Sequence, residues 1–184
     1  MIKKSKIATI LPYKENYTFS KAQAAAIWVN DFYKHSAYKN INYIFGNTNT
    51  KDFLTKNYIN VPIKKKKSRF VSTTNEYCDN FIKISKKYNF EIIEIHNRPL
   101  VFNYLKKRLR KKFILYFHND PLDMKGSKSS SERLFLIRNV DKLVFISKWV
   151  QNRFFEGIDK KLKDKTEVVY HSVNKEKKIF KKDK

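Results

Sequence analysis

Residues 113–117 read Phe-Ile-Leu-Tyr-Phe, and His118, Asn119, Asp120 and Pro121 follow directly. Five apolar or aromatic residues in a row do not alternate between two faces. Such a run predicts a strand covered on both sides, as in a parallel sheet. The polar residues after it either present groups to a ligand or simply close a backbone turn. Working outward, the same unit recurs. Upstream, Glu-Ile-Ile-Glu-Ile (residues 91–95) runs into His96, Asn97 and Arg98. Downstream, Leu-Val-Phe-Ile (residues 143–146) runs into Ser147 and Lys148.

Helical stretches separate these strands. Pro99 opens a helix running towards residue 110, a position that favours proline. Ser129 or Ser130 can cap a helix over 131–139, and a helix over 148–155 ends at Gly157. Farther out, residues 6–11 (KIATIL) form a short buried strand. Residues 20–35 form a helix with Ser20 as its cap and Ala22, Ala24, Ala25 and Ala26 as strong helix formers. Residues 41–45 (INYIF) give a strand closed by Gly46, and 58–63 a third strand. Phe70, Tyr77, Phe81 and Ile84 keep helical spacing within 69–88, and residues 168–170 form the last strand. Alternating strands and helices predict one Rossmann-like α/β domain, a parallel sheet with helices on both faces.

The composition agrees. At 184 residues, 41% hydrophobic and 15% aromatic, the chain can bury a core as one domain. No run approaches the roughly 20 apolar residues that cross a bilayer. The basic start MIKKSK precedes only a few apolar residues before Pro12, too short for a secretory core. Cys78 is the single cysteine, which excludes an internal disulfide and a cysteine zinc cluster. Inside a predicted helix, it reads as packing and not as a nucleophile. A cytoplasmic chain is expected. The formal net charge of +24 attracts anionic partners. It also fits a chain rich in Lys, Asn, Ile, Phe and Tyr and poor in Gly, Pro and Ala, as an AT-rich genome encodes. Both readings stay open.

In an open parallel sheet, ligands bind outside the carboxyl ends of the strands. Pro12-Tyr13, His96-Asn97-Arg98, His118-Asn119-Asp120, Ser147 and His171-Ser172 each follow a predicted strand. One such residue can merely cap backbone; the set predicts a site along one edge. Gly46, Gly126 and Gly157 are the only glycines, so neither a G-x-G-x-x-G fingerprint nor a Walker loop can be built. Neither H-E-x-x-H nor G-x-S-x-G occurs. Convergence of His96 and His118 is the one hint of a metal site and has no supporting motif; no metal and no cofactor is expected. Basic runs occupy 64–67 and 106–112 (KKRLRKK). Lys106, Lys107, Arg108 and Arg110 suit the end of a helix. They also suit an anionic membrane surface or nucleic acid, although no nucleic-acid-binding motif accompanies them.

The order and spacing of KIATILPY (6–13), EIIEIHNRP (91–99), FILYFHNDP (113–121), DKLVFISKWVQNRF (141–154) and EVVYHSVN (167–174) resemble the N-terminal domain of GT-B glycosyltransferases. The likeness is to the family 4-like group of retaining enzymes. It implies that residues 1–174 are the acceptor-side half of a two-domain fold, and that the charged tail 175–184 stands where the interdomain linker begins. The nucleotide-sugar would be held mainly by a second domain or a separate polypeptide that carries the family's paired glutamates. The function implied is transfer of a sugar from a nucleotide-sugar to a glycan or lipid-linked acceptor, as in cell-envelope polysaccharide synthesis. The chain alone is expected to be inactive, and to be peripheral on the inner face of the cytoplasmic membrane. His118 matches the family's histidine beside the transfer centre, with Asn119 and Asp120 in the same loop. His96, Asn97 and Arg98 match the loop that faces the acceptor, and Ser147 and Lys148 match a serine-led turn before a helix. The family often has a Gly-Gly loop after its first strand. Here the loop is PYKENYTFSKAQ (12–23), and Ser20 and Lys21 are expected to stand in through the helix N-terminus. The alternative is a basic nucleic-acid- or membrane-binding module without catalysis; of its two partners, nucleic acid is the less expected.

Overall fold

A computed structural model describes residues 5–64 and 72–171. Most of the 64–67 basic run, the first residues of the predicted 69–88 helix, Ser172 and the 175–184 tail lie outside the described residues. Among the described residues, seven strands form one sheet: β1 (Lys6–Ile10), β2 (Asn42–Gly46), β3 (Tyr58–Asn60), β4 (Phe90–His96), β5 (Lys112–Phe117), β6 (Lys142–Phe145) and β7 (Thr166–Val168). Their order is β3-β2-β1-β4-β5-β6-β7, and every pairing is parallel. Order reverses between β1 and β4, which makes that gap the topological switch point.

Strand alternation explains the two layers. In β5, Phe113, Leu115 and Phe117 point to one face, and each is fully buried. There they meet Phe81 of α2 (Thr73–Ser85), Phe102 of α3 (Pro99–Lys106), Leu136 of α4 (Ser130–Asn139) and Phe154 of α5 (Lys148–Phe154). Each such side chain contributes about 1.5–3 kcal/mol by leaving water. Tyr116 points to the other face, where it packs with Trp28 and Val29 of α1 (Ala24–His35), Ile44 and Val144. Helices therefore cover both faces, as the unbroken apolar run predicts.

Several boundaries moved for identifiable reasons. The first helix starts at Ala24, not at residue 20; its N-cap is Gln23, which makes no side-chain capping bond. Ser20 instead donates to the Asp52 carboxylate at 3.1 Å, so its expected capping role is wrong. Helix α3 stops at Lys106, and Arg108 to Lys111 turn back towards β5. The last strand lies two residues earlier than expected, because Thr166–Val168 takes the register of Leu143–Phe145. Ser129 does cap α4 within a capping box completed by Glu132. Cys78 is buried in α2, and burial pushes its thiol up to about 12.

The loop from β5 to α4 is held by a buried guanidinium. Arg133 donates to the carbonyls of Phe154 (2.7 Å), Ser127 (3.1 Å), Lys128 (2.5 Å) and Glu156 (2.5 Å). In that loop Gly126 has φ 91°, and a Cβ there would stand 3.0 Å from Leu100 Cδ2 and 3.2 Å from Pro99 Cβ. Gly126→Ala is therefore expected to cost about 1–2 kcal/mol through its left-handed backbone alone. Urea unfolding of the variant checks this, and an unchanged midpoint contradicts it.

Candidate functional site

The switch point holds a cavity of about 510 Å³. Its walls come from the β1 loop (Tyr13, Lys14), the start of α2 (Ser72 to Thr74), the β4–α3 corner (Asn97 to Leu100) and the loop after β5 (Asp123 to Lys125). Open parallel sheets place ligands there because the loops on the two sides of the reversal diverge.

A buried histidine pair adjoins it. The β4 alternation sends His96 to the α1 face, and β5 delivers His118 beside it. His96 Nδ1 and His118 Nε2 are 2.8 Å apart. Either tautomer of a neutral pair makes this hydrogen bond. The outer atoms, His96 Nε2 and His118 Nδ1, are buried with no partner among the described residues. One therefore carries an unmet N–H and the other an unmet lone pair. Tyr116 stacks on His96 with ring centres 4.4 Å apart. Trp28 meets His96 at 5.6 Å and, edge-on, His118 at 5.0 Å. His171 approaches Trp28 at 5.6 Å and His118 at 5.9 Å from the exposed side.

Asn97 joins the two parts. It takes φ 53°, which an Asn tolerates better than most residues. Its Oδ1 accepts the His118 backbone N–H at 2.7 Å, and it also lines the cavity. Burial pushes His118 down to about 3, with His171 adding to the shift. Burial, and then His118, hold His96 well below the ordinary imidazole value. The pair is neutral at pH 7. Among the described residues no three His, Cys, Asp or Glu side chains are grouped to hold a metal.

The other expected site residues divide. Arg98 lines the cavity, with its guanidinium 5.5 Å from the centre of the Tyr13 ring. Asn119 and Lys148 are exposed on the same edge. Asp120 is taken by structure: it accepts from Leu122 N at 2.9 Å and pairs with Arg153 at 3.0 Å. Ser147 caps α5 through Val150 N. Ser20 and Lys21 are exposed in the β1–α1 connection. They do not form the start of α1, because Glu15 takes that place and accepts the Ala26 N–H at 3.0 Å. The expectation that Ser20 and Lys21 present a helix N-terminus to an anion is thus corrected. Lys106, Arg110 and Lys112 line a shallow hollow with Glu91. β4 and β5 begin there, so this hollow lies at the edge opposite the histidines.

No protein-family model and no curated protein sequence matches the chain. Solved structures do. A portion of sucrose-phosphate synthase from Thermosynechococcus elongatus superposes with a TM-score of 0.63 at 10% identity, covering 92% of this chain and 91% of that one. HepE of Anabaena, solved with UDP and glucose, superposes with a TM-score of 0.63 at 13% identity, covering 92% of this chain and 45% of that one. A glycosyltransferase from Rickettsia africae gives a TM-score of 0.59 at 17% identity, with 94% and 44% covered. The fold is one half of the GT-B architecture. The chain spans about half the length of HepE and of the Rickettsia enzyme.

Three residues of this GT-B half were not singled out in the sequence, and each acts across a long separation. Trp28 lies in an alanine-rich helix yet floors the histidine cluster. Glu15 caps α1 from 11 residues away; burial raises its carboxyl, while the Ala26 N–H and then Arg98 pull it back. Glu94 sits mid-strand and accepts from Thr9 Oγ1 at 2.7 Å; burial raises it, against bonds from Thr9 and Tyr116. A charged residue inside an otherwise apolar strand was the one readable signal among the three.

Proposed function

We propose that this chain is the acceptor-side half of a retaining, family 4-like glycosyltransferase. It would take a sugar from a nucleotide-sugar and pass it to a glycan or lipid-linked acceptor. One observation carries the reading: a neutral, buried His96–His118 pair at the carboxyl edge of a GT-B half, beside an open cavity at the switch point. A neutral imidazole can hydrogen-bond a sugar hydroxyl, and it can turn a lone pair towards the positive, oxocarbenium-like charge on the sugar without exchanging a proton with water. In this reading His118 positions the donor sugar and stabilises the charge that develops on it. The acceptor enters past Arg98 and Asn97, beside the histidine pair.

The donor's nucleotide would be held by a second GT-B half, in a second domain or a separate polypeptide. HepE's complex with UDP and glucose, and the coverage of about half of the full-length neighbours, support this. Closure of two halves excludes water from the transfer, so the chain alone would be inactive. Lys106, Lys107, Arg108 and Arg110 would hold the enzyme at the anionic inner face of the cytoplasmic membrane. Among the described residues no helix is long and apolar enough to cross a membrane. The hollow of Lys106 and Arg110 lies about 20 Å, one strand length, from the histidines. Those two residues would therefore anchor the protein without touching the transfer centre.

Co-expression with the candidate donor-binding polypeptide tests the reading. The two chains are expected to co-purify and to transfer sugar from a nucleotide-sugar, with neither active alone. Turnover by this chain alone overturns the proposed division of labour.

A further inference from the structure

The switch-point cavity has a neighbour across Leu100. A second space of about 380 Å³ runs between α2 and α3 and shares Ser72, Thr74 and Leu100 with the first. It reaches Lys107 and Arg108, about 10 Å farther along α3 at 1.5 Å per residue. The two spaces adjoin at Ser72, Thr74 and Leu100, between the sheet edge and the helical layer.

The lining is cationic and rich in hydroxyls. Lys14, Arg98 and Lys125 bring three cations, Asp123 is the carboxylate among them, and Ser72, Thr73 and Thr74 contribute hydroxyls. Arg98 Nη1 is used on the Asn97 carbonyl at 3.1 Å. Its Nε is buried with no hydrogen-bond partner among the described residues. No carboxylate among the described residues forms an ion pair with it. Its charge is felt at the Glu15 carboxyl, but no described carboxylate bonds it, and a guanidinium without a bonded counter-ion beside an open cavity can receive an oxyanion. The 13-residue helix α2 turns its N-terminal end to the same space, adding a favourable field for negative charge. Asp123 on the rim is suited to accept the hydroxyls of a saccharide.

We propose that this cavity binds the acceptor by a phosphate group, with Arg98 as the principal ligand and Lys14 and Lys125 beside it. The α2–α3 groove, with Lys107 and Arg108, carries the remainder of an anionic acceptor. The acceptor is a phosphorylated saccharide or a lipid phosphate; a neutral glycan leaves the guanidinium without a bonded counter-ion.

The test is direct binding by the full chain, followed by calorimetry, with glucose 6-phosphate, farnesyl phosphate, inorganic phosphate and glucose as probes. One of the two esters is expected to bind best, and which one does so identifies the source of the phosphate. Lys14 and Lys125 are both exposed, so Lys14→Gln/Lys125→Gln keeps the fold. It is expected to weaken the preferred ester about tenfold, as loss of charge-assisted bonds does. Arg98→Gln is expected to weaken it more. Lys86→Gln/Lys87→Gln removes the same charge from exposed positions at the far end of α2 and is expected to change little. Three results overturn the proposal: equal loss in the two double variants, glucose binding as well as glucose 6-phosphate, or inorganic phosphate binding as well as either ester. Naming the ligand an acceptor rests on the glycosyltransferase reading. Binding is measured without turnover, so a missing phosphate site leaves that reading standing. A chain that binds the ester but never transfers sugar refutes only the transfer.

Discussion

Acidification from pH 6.5 to pH 5 is expected to cost this protein about 3 kcal/mol of folding stability through two side chains, His96 and His118. In the unfolded chain an imidazole titrates near 6.5. In the fold, burial holds His118 at about 3 and His96 well below its ordinary value. Between those limits the unfolded state binds protons that the folded state refuses, so stability falls as pH falls. Each refused proton costs about 1.4 kcal/mol per pH unit. Glu15 and Glu94 work in the opposite direction. Burial raises both carboxyls, so protonating them favours the fold and subtracts from the loss. Urea unfolding between pH 7 and pH 5 isolates the histidines when compared with His96→Gln/His118→Gln. The variant is expected to show a much shallower fall. Parallel curves for the two proteins would mean that the pair is solvated and not buried neutral.

How much of this was legible beforehand differs by element. Strands β4, β5 and β6 were readable because each is a short apolar run ending in polar residues, and a parallel sheet then gathers those ends on one edge by topology alone. His96, His118 and Arg98 followed from that. The start of α1 was not readable. Its cap is a carboxylate 11 residues upstream, and propensity in the Ser20–Ala26 stretch carries no sign of it. Asp120 looked like a ligand residue because its partner, Arg153, is 33 residues away. Asn97 looked the same, but its side chain carries the His118 backbone N–H, a role that depends on a left-handed φ. The contact between Trp28 and the two histidines exists only because α1 crosses the sheet at β4 and β5. In each case the edge was predictable and the division between support and site was not, because that division is made by non-local partners.

If the proposed glycosyltransferase reading holds, His118→Phe, measured with both halves of the enzyme present, is expected to lower kcat by about 10²–10³-fold, the usual loss for one preorganised polar group at a developing charge. Phenylalanine keeps a ring against the Trp28 edge, which lies 5.0 Å from His118, but removes both nitrogens. It also leaves His96 Nδ1 without its 2.8 Å partner. Folding stability should therefore fall by about 1–3 kcal/mol while the fold survives. The acceptor KM is expected to change little, since the cavity is lined by Arg98 and Lys14 and not by His118. The pH profile separates this role from general-base catalysis. A base would have to titrate near neutrality, whereas His118 titrates at about 3 and stays neutral across the working range. The wild-type kcat should thus show no inflection near pH 6.5 that His118→Phe abolishes. An inflection there, lost in the variant, would make His118 a proton carrier. A kcat within about threefold of wild type would place the transfer centre away from the histidine pair, since loss of a preorganised polar group there costs far more.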